Sequence, residues 1–231
     1  MKPEVVFVPG LLGDRWIFQE VESRLPEVST YTLDYPTYPF SLTDMAKAVS
    51  QTVREGGYVV GTSMGGYVAL LTAALYPRSV GGIVLVNTFS SPARMLGWKR
   101  HLIRALRPVP KGKWLKWIVR SGIGDAHFGY SEKVKAYVLG VLDRMTPEAL
   151  YSRLKALADA PELPGFPEGV RAMVIYNEKD PTVPPGERRA LIDLVRPEKL
   201  VMCKSGGHFP YLEEPEGFAS TLREFIGKEH P

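Results

Sequence analysis

Short apolar runs alternate along the chain with longer segments whose apolar positions recur at helical spacing. The runs are Val5–Val8, Thr30–Leu33, Tyr58–Val60, Gly82–Val86, Ala172–Tyr176 and Lys199–Cys203. Each is a few residues long, mostly β-branched, and apolar on successive positions, the pattern of a strand buried on both faces. Helix-length segments lie between them, at about 14–25, 42–55, 64–76, 186–196 and 215–227. The second starts at Ser41 with Asp44 three residues on, a capping-type start; the fourth follows Pro184-Pro185-Gly186, through which no helix continues. Strand-helix alternation predicts an α/β fold with about six strands in a mainly parallel sheet and helices on both faces. From about Phe89 to Gly165 the alternation stops, and helical patterns separated by Pro and Gly replace it. This predicts a core of residues 1–88 and 166–231, with residues 89–165 inserted as an α-helical cap over one edge of the sheet.

Against this frame, Gly61-Thr62-Ser63-Met64-Gly65 matches G-x-S-x-G. A chain of this length contains that pattern by chance roughly one time in ten, so its setting decides. It stands between the strand at Tyr58–Val60 and the helix that includes Tyr67–Leu75, the strand-turn-helix context of a nucleophile elbow. The bland alternative is a nucleotide-binding turn with a capping serine. No lysine follows the glycines, and Ser63 is central to the turn.

A serine hydroxyl needs a base, and four histidines compete for the role. His230 is next to the last residue; His101 lies among Lys99, Arg100 and Arg104, which disfavour taking up a proton; His127, beside Phe128, reads as structural. His208 follows the last predicted strand and Gly206-Gly207, on a loop at the carboxyl end of the sheet, where ligands bind in open α/β folds. Asp180, just after the fifth strand, is the candidate acid that orients this base. Glu178 and Asp34 are its rivals. The order Ser63, Asp180, His208 suits the elbow. Oxyanion donors are expected from the backbone N–H of Met64, after the serine, and of Leu11, in the loop Pro9-Gly10-Leu11-Leu12-Gly13.

Taken together, PGLLG, GTSMGG, NEKDPTVP and GGHFPYLEEPEGF resemble the α/β-hydrolase superfamily over nearly the whole chain. Many members have His-Gly where this chain has Pro9-Gly10, and Asp-x-Pro-Gly-x-Gly where it has Asp34-Tyr35-Pro36-Thr37-Tyr38-Pro39. In this likeness the first strand corresponds to the superfamily's third, a compact version. The resemblance implies a serine esterase that cleaves an ester or thioester of a mainly apolar acyl group through an acyl-serine, without metal or organic cofactor. The same triad also serves perhydrolases, acyltransferases, C–C hydrolases and hydroxynitrile lyases. A second likeness, to maspardin-like proteins, rests on Tyr35-Pro36-Thr37-Tyr38, Val86-Asn87-Thr88-Phe89-Ser90 and Ser205 to Leu212. Those are regarded as binding proteins that have lost the catalytic histidine; this chain keeps one there. It implies a binding module or adaptor as the alternative.

Charge adds one feature. The net charge is +4, yet no acidic residue occurs between Glu55 and Asp125. Arg94, Lys99, Arg100, Arg104, Arg107, Lys111, Lys113, Lys116 and Arg120 interleave there with Trp98, Leu102, Leu106, Trp114, Trp117 and Ile118. Such a stretch can greet an anionic acyl carrier or CoA thioester or lie on an anionic membrane; the bland reading is a solvated face. No reading motif for nucleic acid accompanies the charge. No run approaches the roughly 18 apolar residues that span a bilayer. The opening residues lack a signal peptide's length and cleavage site. One cysteine, Cys203, among 231 residues suits a reducing cytoplasm.

Overall fold

A computed structural model describes residues 4–105, 131–204 and 207–227. Its six strands are β1 (Glu4–Val8), β2 (Ser29–Thr32), β3 (Gly57–Thr62), β4 (Val80–Val86), β5 (Arg171–Asn177) and β6 (Lys199–Cys203). They form one sheet in the order β2-β1-β3-β4-β5-β6, every neighbouring pair parallel. The order reverses between β1 and β3. The connections that leave their carboxyl ends therefore diverge, and the crevice between them is where open α/β sheets place ligands.

Alternate side chains of the central strands feed two cores. Val6, Val8, Val59, Ile83, Leu85, Val174 and Tyr176 face one side, packed against α2 (Leu42–Thr52), α3 (Met64–Leu75) and α8 (Pro185–Val195). Val5, Phe7, Val60, Val84, Val86, Met173 and Ile175 face the other, packed against α1 (Gln19–Glu22), α9 (Pro210–Glu213) and α10 (Pro215–Ile226). Residues buried on both faces explain the unbroken apolar runs of β1, β3, β4 and β5. Two runs differ from expectation. β2 and β6 are the sheet's edges, and their burial alternates, with Tyr31, Leu200 and Met202 about half exposed. An edge strand has a neighbour on one side only, and here one face is left to solvent.

Helix α2 starts as its sequence requires. The Ser41 hydroxyl accepts the Asp44 N–H at 3.0 Å, and the Asp44 carboxylate accepts the Ser41 N–H at 3.1 Å. The expected helix at about 14–25 contracts to Gln19–Glu22. Before it, residues 14–18 wrap in three-residue turns, Ile17 N–H to Asp14 O and Gln19 N–H to Trp16 O. The Asp14 carboxylate accepts from the Trp16 N–H, the Tyr137 hydroxyl and Arg144, side-chain bonds that compete with a helical start.

Between β4 and β5 the described residues hold only helices: α4 (Pro92–Leu96), α5 (Lys99–Ala105), α6 (Glu132–Arg144) and α7 (Pro147–Asp159). Val134, Val138, Val141 and Leu142 of α6 share the core of Phe7 and Phe18, while Ala156 and Leu157 of α7 join the opposite one. The insertion is therefore packed into the cores on both sides of the sheet. Buried Glu187 of α8 ties down its first turn, accepting from the Ser90 and Ser91 N–H groups and from Arg94 at 2.6 Å.

The basic stretch meets partners from outside its own segment. Arg94 pairs with Glu187, Arg104 with Asp159 at 3.0 Å, and Arg100 donates to the Ala158 and Ala160 carbonyls at 2.7 and 2.9 Å. Tertiary packing brings acids and carbonyls from α7, its C-cap Ala160 and α8 against these three. Arg107, Lys111, Lys113, Lys116 and Arg120 lie outside the described residues, as do Leu106, Trp114, Trp117, Ile118, His127 and His230. Among the described residues no helix is long and apolar enough to cross a membrane.

Candidate active site

Ser63 lies between the end of β3 and the first residue of α3, with φ 51° and ψ −120°. A non-glycine residue holds such a conformation only where its surroundings over-determine it. Here the Ser63 N–H donates to Val86 O at 3.0 Å, and its carbonyl accepts the Gly66 N–H at 3.0 Å and the Thr88 hydroxyl at 2.6 Å. The glycine after Met64 is a steric necessity. A Cβ on Gly65 would overlap the carbonyl oxygens of Val8 and Pro9, so only glycine lets α3 pass this close to the end of β1.

The loop after β1 abuts the serine: a Cβ on Gly10 would lie 3.2 Å from that of Ser63. Leu11, the candidate donor, is the next residue of this loop. Met64 heads α3, so its N–H has no acceptor within the helix. The loop itself is held from three directions. Gly13 N–H closes a turn on Gly10 O at 3.1 Å, the Tyr35 hydroxyl donates to Pro9 O at 2.8 Å, and Arg153 of α7 donates to Leu11 O and Gly13 O at 2.9 and 2.6 Å.

His208 and Asp180 meet across two loops. Nδ1 of His208 is 2.9 Å from Oδ2 of Asp180, and both residues are buried. Burial would raise the Asp180 carboxyl. The charge and hydrogen bond of His208, with the Thr182 N–H at 2.8 Å, outweigh it and hold the group below its ordinary value. The ionised carboxylate can only accept, so Nδ1 donates to it whether the ring is charged or neutral, and in the neutral ring the lone pair falls on Nε2, the nitrogen able to act as a base. The rivals stay apart: Glu178 and Asp34 are both exposed. His101 is exposed on α5.

Two residues that no motif singled out for this role fix the pair. Buried Asn87, with φ 41°, donates from its amide to the Gly207 and His208 carbonyls, both at 3.1 Å, and accepts the Asn177 N–H at 2.9 Å. It thus joins the ends of β4 and β5 to the histidine loop. Arg188 of α8 donates to Asn177 O and Val183 O at 3.2 and 3.0 Å and also to Asp180 O, strapping the aspartate loop. Asn87 could have been suspected from its place directly after a central strand; Arg188 carried no signal. Among the described residues no group of three or more His, Cys, Asp or Glu side chains is placed to hold a metal ion.

A parallel sheet, a strained serine elbow and a histidine-carboxylate pair at the same edge define a class, and comparison agrees. Residues 5–221 match the model of the alpha/beta hydrolase family, and the chain belongs to it. It is 24% identical to the pimeloyl-[acyl-carrier protein] methyl ester esterase of Neisseria meningitidis serogroup C, over 96% of this chain and 93% of that protein. The protein of the same name from Vibrio vulnificus is also 24% identical, over 98% and 95%. In three dimensions the fold is similar to that of a thermophilic esterase from Thermogutta terrifontis, with a TM-score of 0.80 at 20% identity, over 99% of this chain and 91% of the other.

Proposed function

We propose that this chain is a carboxylic-ester hydrolase working through an acyl-Ser63 intermediate. The observation that carries the reading is the Nδ1–Oδ2 contact of 2.9 Å between His208 and Asp180, on the sheet edge where Ser63 is held at positive φ. His208 takes the Ser63 proton through Nε2 as the hydroxyl oxygen attacks the ester carbonyl. Asp180 holds the imidazole and stabilises its charged form. The N–H groups of Leu11 and Met64 receive the developing oxyanion. His208 then returns the proton to the leaving alcohol or thiol, and a water activated by the same base releases the acyl group.

The substrate we infer is an ester or thioester of a mainly apolar acyl group. The names of the Neisseria and Vibrio relatives favour a methyl ester on an acyl chain borne by an acyl carrier protein. An acidic carrier would suit the basic residues of the insertion better than a neutral ester does. We further propose that residues 89–165 serve as the cap that shapes the acyl site over the core formed by residues 1–88 and 166–231.

A fluorophosphonate probe tests the enzymatic reading, since it reports the nucleophilicity supplied by base and oxyanion donors rather than affinity for one substrate. At about pH 8, wild-type protein should label at Ser63, and His208→Asn should label barely at all. Protein that stays unlabelled, or a His208→Asn variant that labels equally fast, would leave a binding module as the better account. Turnover of a methyl ester presented on acyl carrier protein, compared with the same ester free, then tests the substrate.

A further inference from the structure

Arg153 is a buried cation in an expensive position. It is 5% exposed, its Nε has no hydrogen-bond partner, and Asp34 and Asp14 act on its charge without meeting it in an ion pair among the described residues. Burying a guanidinium with an unsatisfied donor is destabilising, so a residue kept under those terms has another use. Its Nη1 supplies both the bond to Leu11 O and the bond to Gly13 O. Its guanidinium lies over the Tyr35 ring, 4.9 Å from the centroid, and the Tyr35 hydroxyl bonds the Pro9 carbonyl of the same loop. Burial pushes the Tyr35 phenol above its ordinary value, so the ring stays neutral as a platform and donor.

We propose that Arg153 is a positioning residue for the oxyanion site: from helix α7 of the insertion it holds the Pro9–Gly13 loop so that the Leu11 N–H faces Ser63. The inference rests on the hydrolase reading above and extends it. The Leu11 N–H lies in the Gly10–Leu11 peptide unit, whose carbonyl accepts the Gly13 N–H; Arg153 fixes the next unit through Leu11 O and the far end of the same turn through Gly13 O, and so holds the turn that directs this N–H. The cation's field also favours negative charge developing nearby. In this arrangement the insertion helps assemble the catalytic site as well as covering it. The anchor from Tyr35 falls on the Pro9 carbonyl, two residues before Leu11.

The test uses a neutral aryl ester and its trifluoromethyl ketone analogue. On binding, the ketone carbon bonds to the Ser63 oxygen, the hydroxyl proton passes to His208, and the former carbonyl oxygen becomes the oxyanion. Affinity for the ketone thus reads the oxyanion site, while affinity for the product acid reads ground-state binding. Arg153→Met should lower kcat by on the order of tenfold to a hundredfold, below the ~10²–10³ expected for deleting a donor outright, with KM unchanged. Ketone affinity should fall by a similar factor and product-acid affinity should hold. Arg153→Lys, able to reach one carbonyl, should recover part of the loss.

Should Arg153→Met fail to fold, Tyr35→Phe removes the Pro9 anchor without stranding a charge, and it should lower kcat and ketone affinity in the same sense. Unchanged ketone affinity in Arg153→Lys and Tyr35→Phe, or equal loss for ketone and product acid, would overturn the positioning role while leaving the hydrolase reading intact. Wild-type protein inert to both ketone and ester would overturn the two together.

Discussion

Asp180 and His208 are 28 residues apart in sequence and 2.9 Å apart in space, buried together beneath the sheet's carboxyl edge. That contact needs a carboxylate that stays ionised and a backbone that holds the ring in place. Thr182 and the histidine itself supply the first, and Asn87, by holding the backbone at Gly207 and His208, supplies the second. The relationship makes the aspartate's charge measurable.

Asp180→Asn should lower ester turnover by on the order of 10³–10⁴, because the amide favours the wrong imidazole tautomer. Glu178→Gln, at an exposed position, should leave turnover near that of wild type. Steady-state kinetics of the two variants side by side decides the assignment; a larger loss in Glu178→Gln would reassign the acid.

The same carboxylate should shape acid stability. Its folded-state value is lowered, so the stability it contributes is present above the unfolded carboxylate value of about 3.9 and is lost as pH falls through the folded value. The Tm difference between wild type and Asp180→Asn should therefore be steady near neutrality and narrow below about pH 4. A difference that widens on acidification would contradict the sign.

Ser63→Ala should remove at least roughly a thousandfold of esterase activity, since the acyl-enzyme route is lost. Its circular dichroism and Tm should stay close to those of wild type. Near-normal turnover in the folded variant would exclude Ser63 as nucleophile.

Gly65→Ala should damage the fold itself. The added methyl would meet the Val8 and Pro9 carbonyls, which are backbone atoms with no rotamer to yield, so destabilisation should reach the upper end of the ~1–3 kcal/mol typical of overpacked sites. Urea unfolding gives the number, and a variant as stable as wild type would mean that the elbow can open.

Arg100→Glu tests what the insertion's charges do. Its guanidinium donates to two carbonyls at the end of α7, so reversal should lower Tm at any salt concentration. An effect confined to anionic substrates and abolished by salt would instead indicate a docking role.

The strands, their parallel arrangement and the places of Ser63, Asp180 and His208 were legible in the sequence because each depends on local order. A strand buried on both faces must be apolar at successive positions, an elbow must carry its glycines beside its serine, and a loop residue inherits its end of the sheet from the strand before it. What tertiary structure alone decided were matters of partnership. Sequence distance cannot show that β2 and β6 lie at the edges, that Asp14 spends its carboxylate on Tyr137 and Arg144, or that Arg94, Arg100 and Arg104 find partners on α7 and α8. Arg153 is the sharpest case. By composition it is one more charge on a helix, yet the crossing of α7 over the loop after β1 buries it against the Leu11 and Gly13 carbonyls. Such bonds depend on which surfaces pack, and packing is settled only when every element competes for the same core.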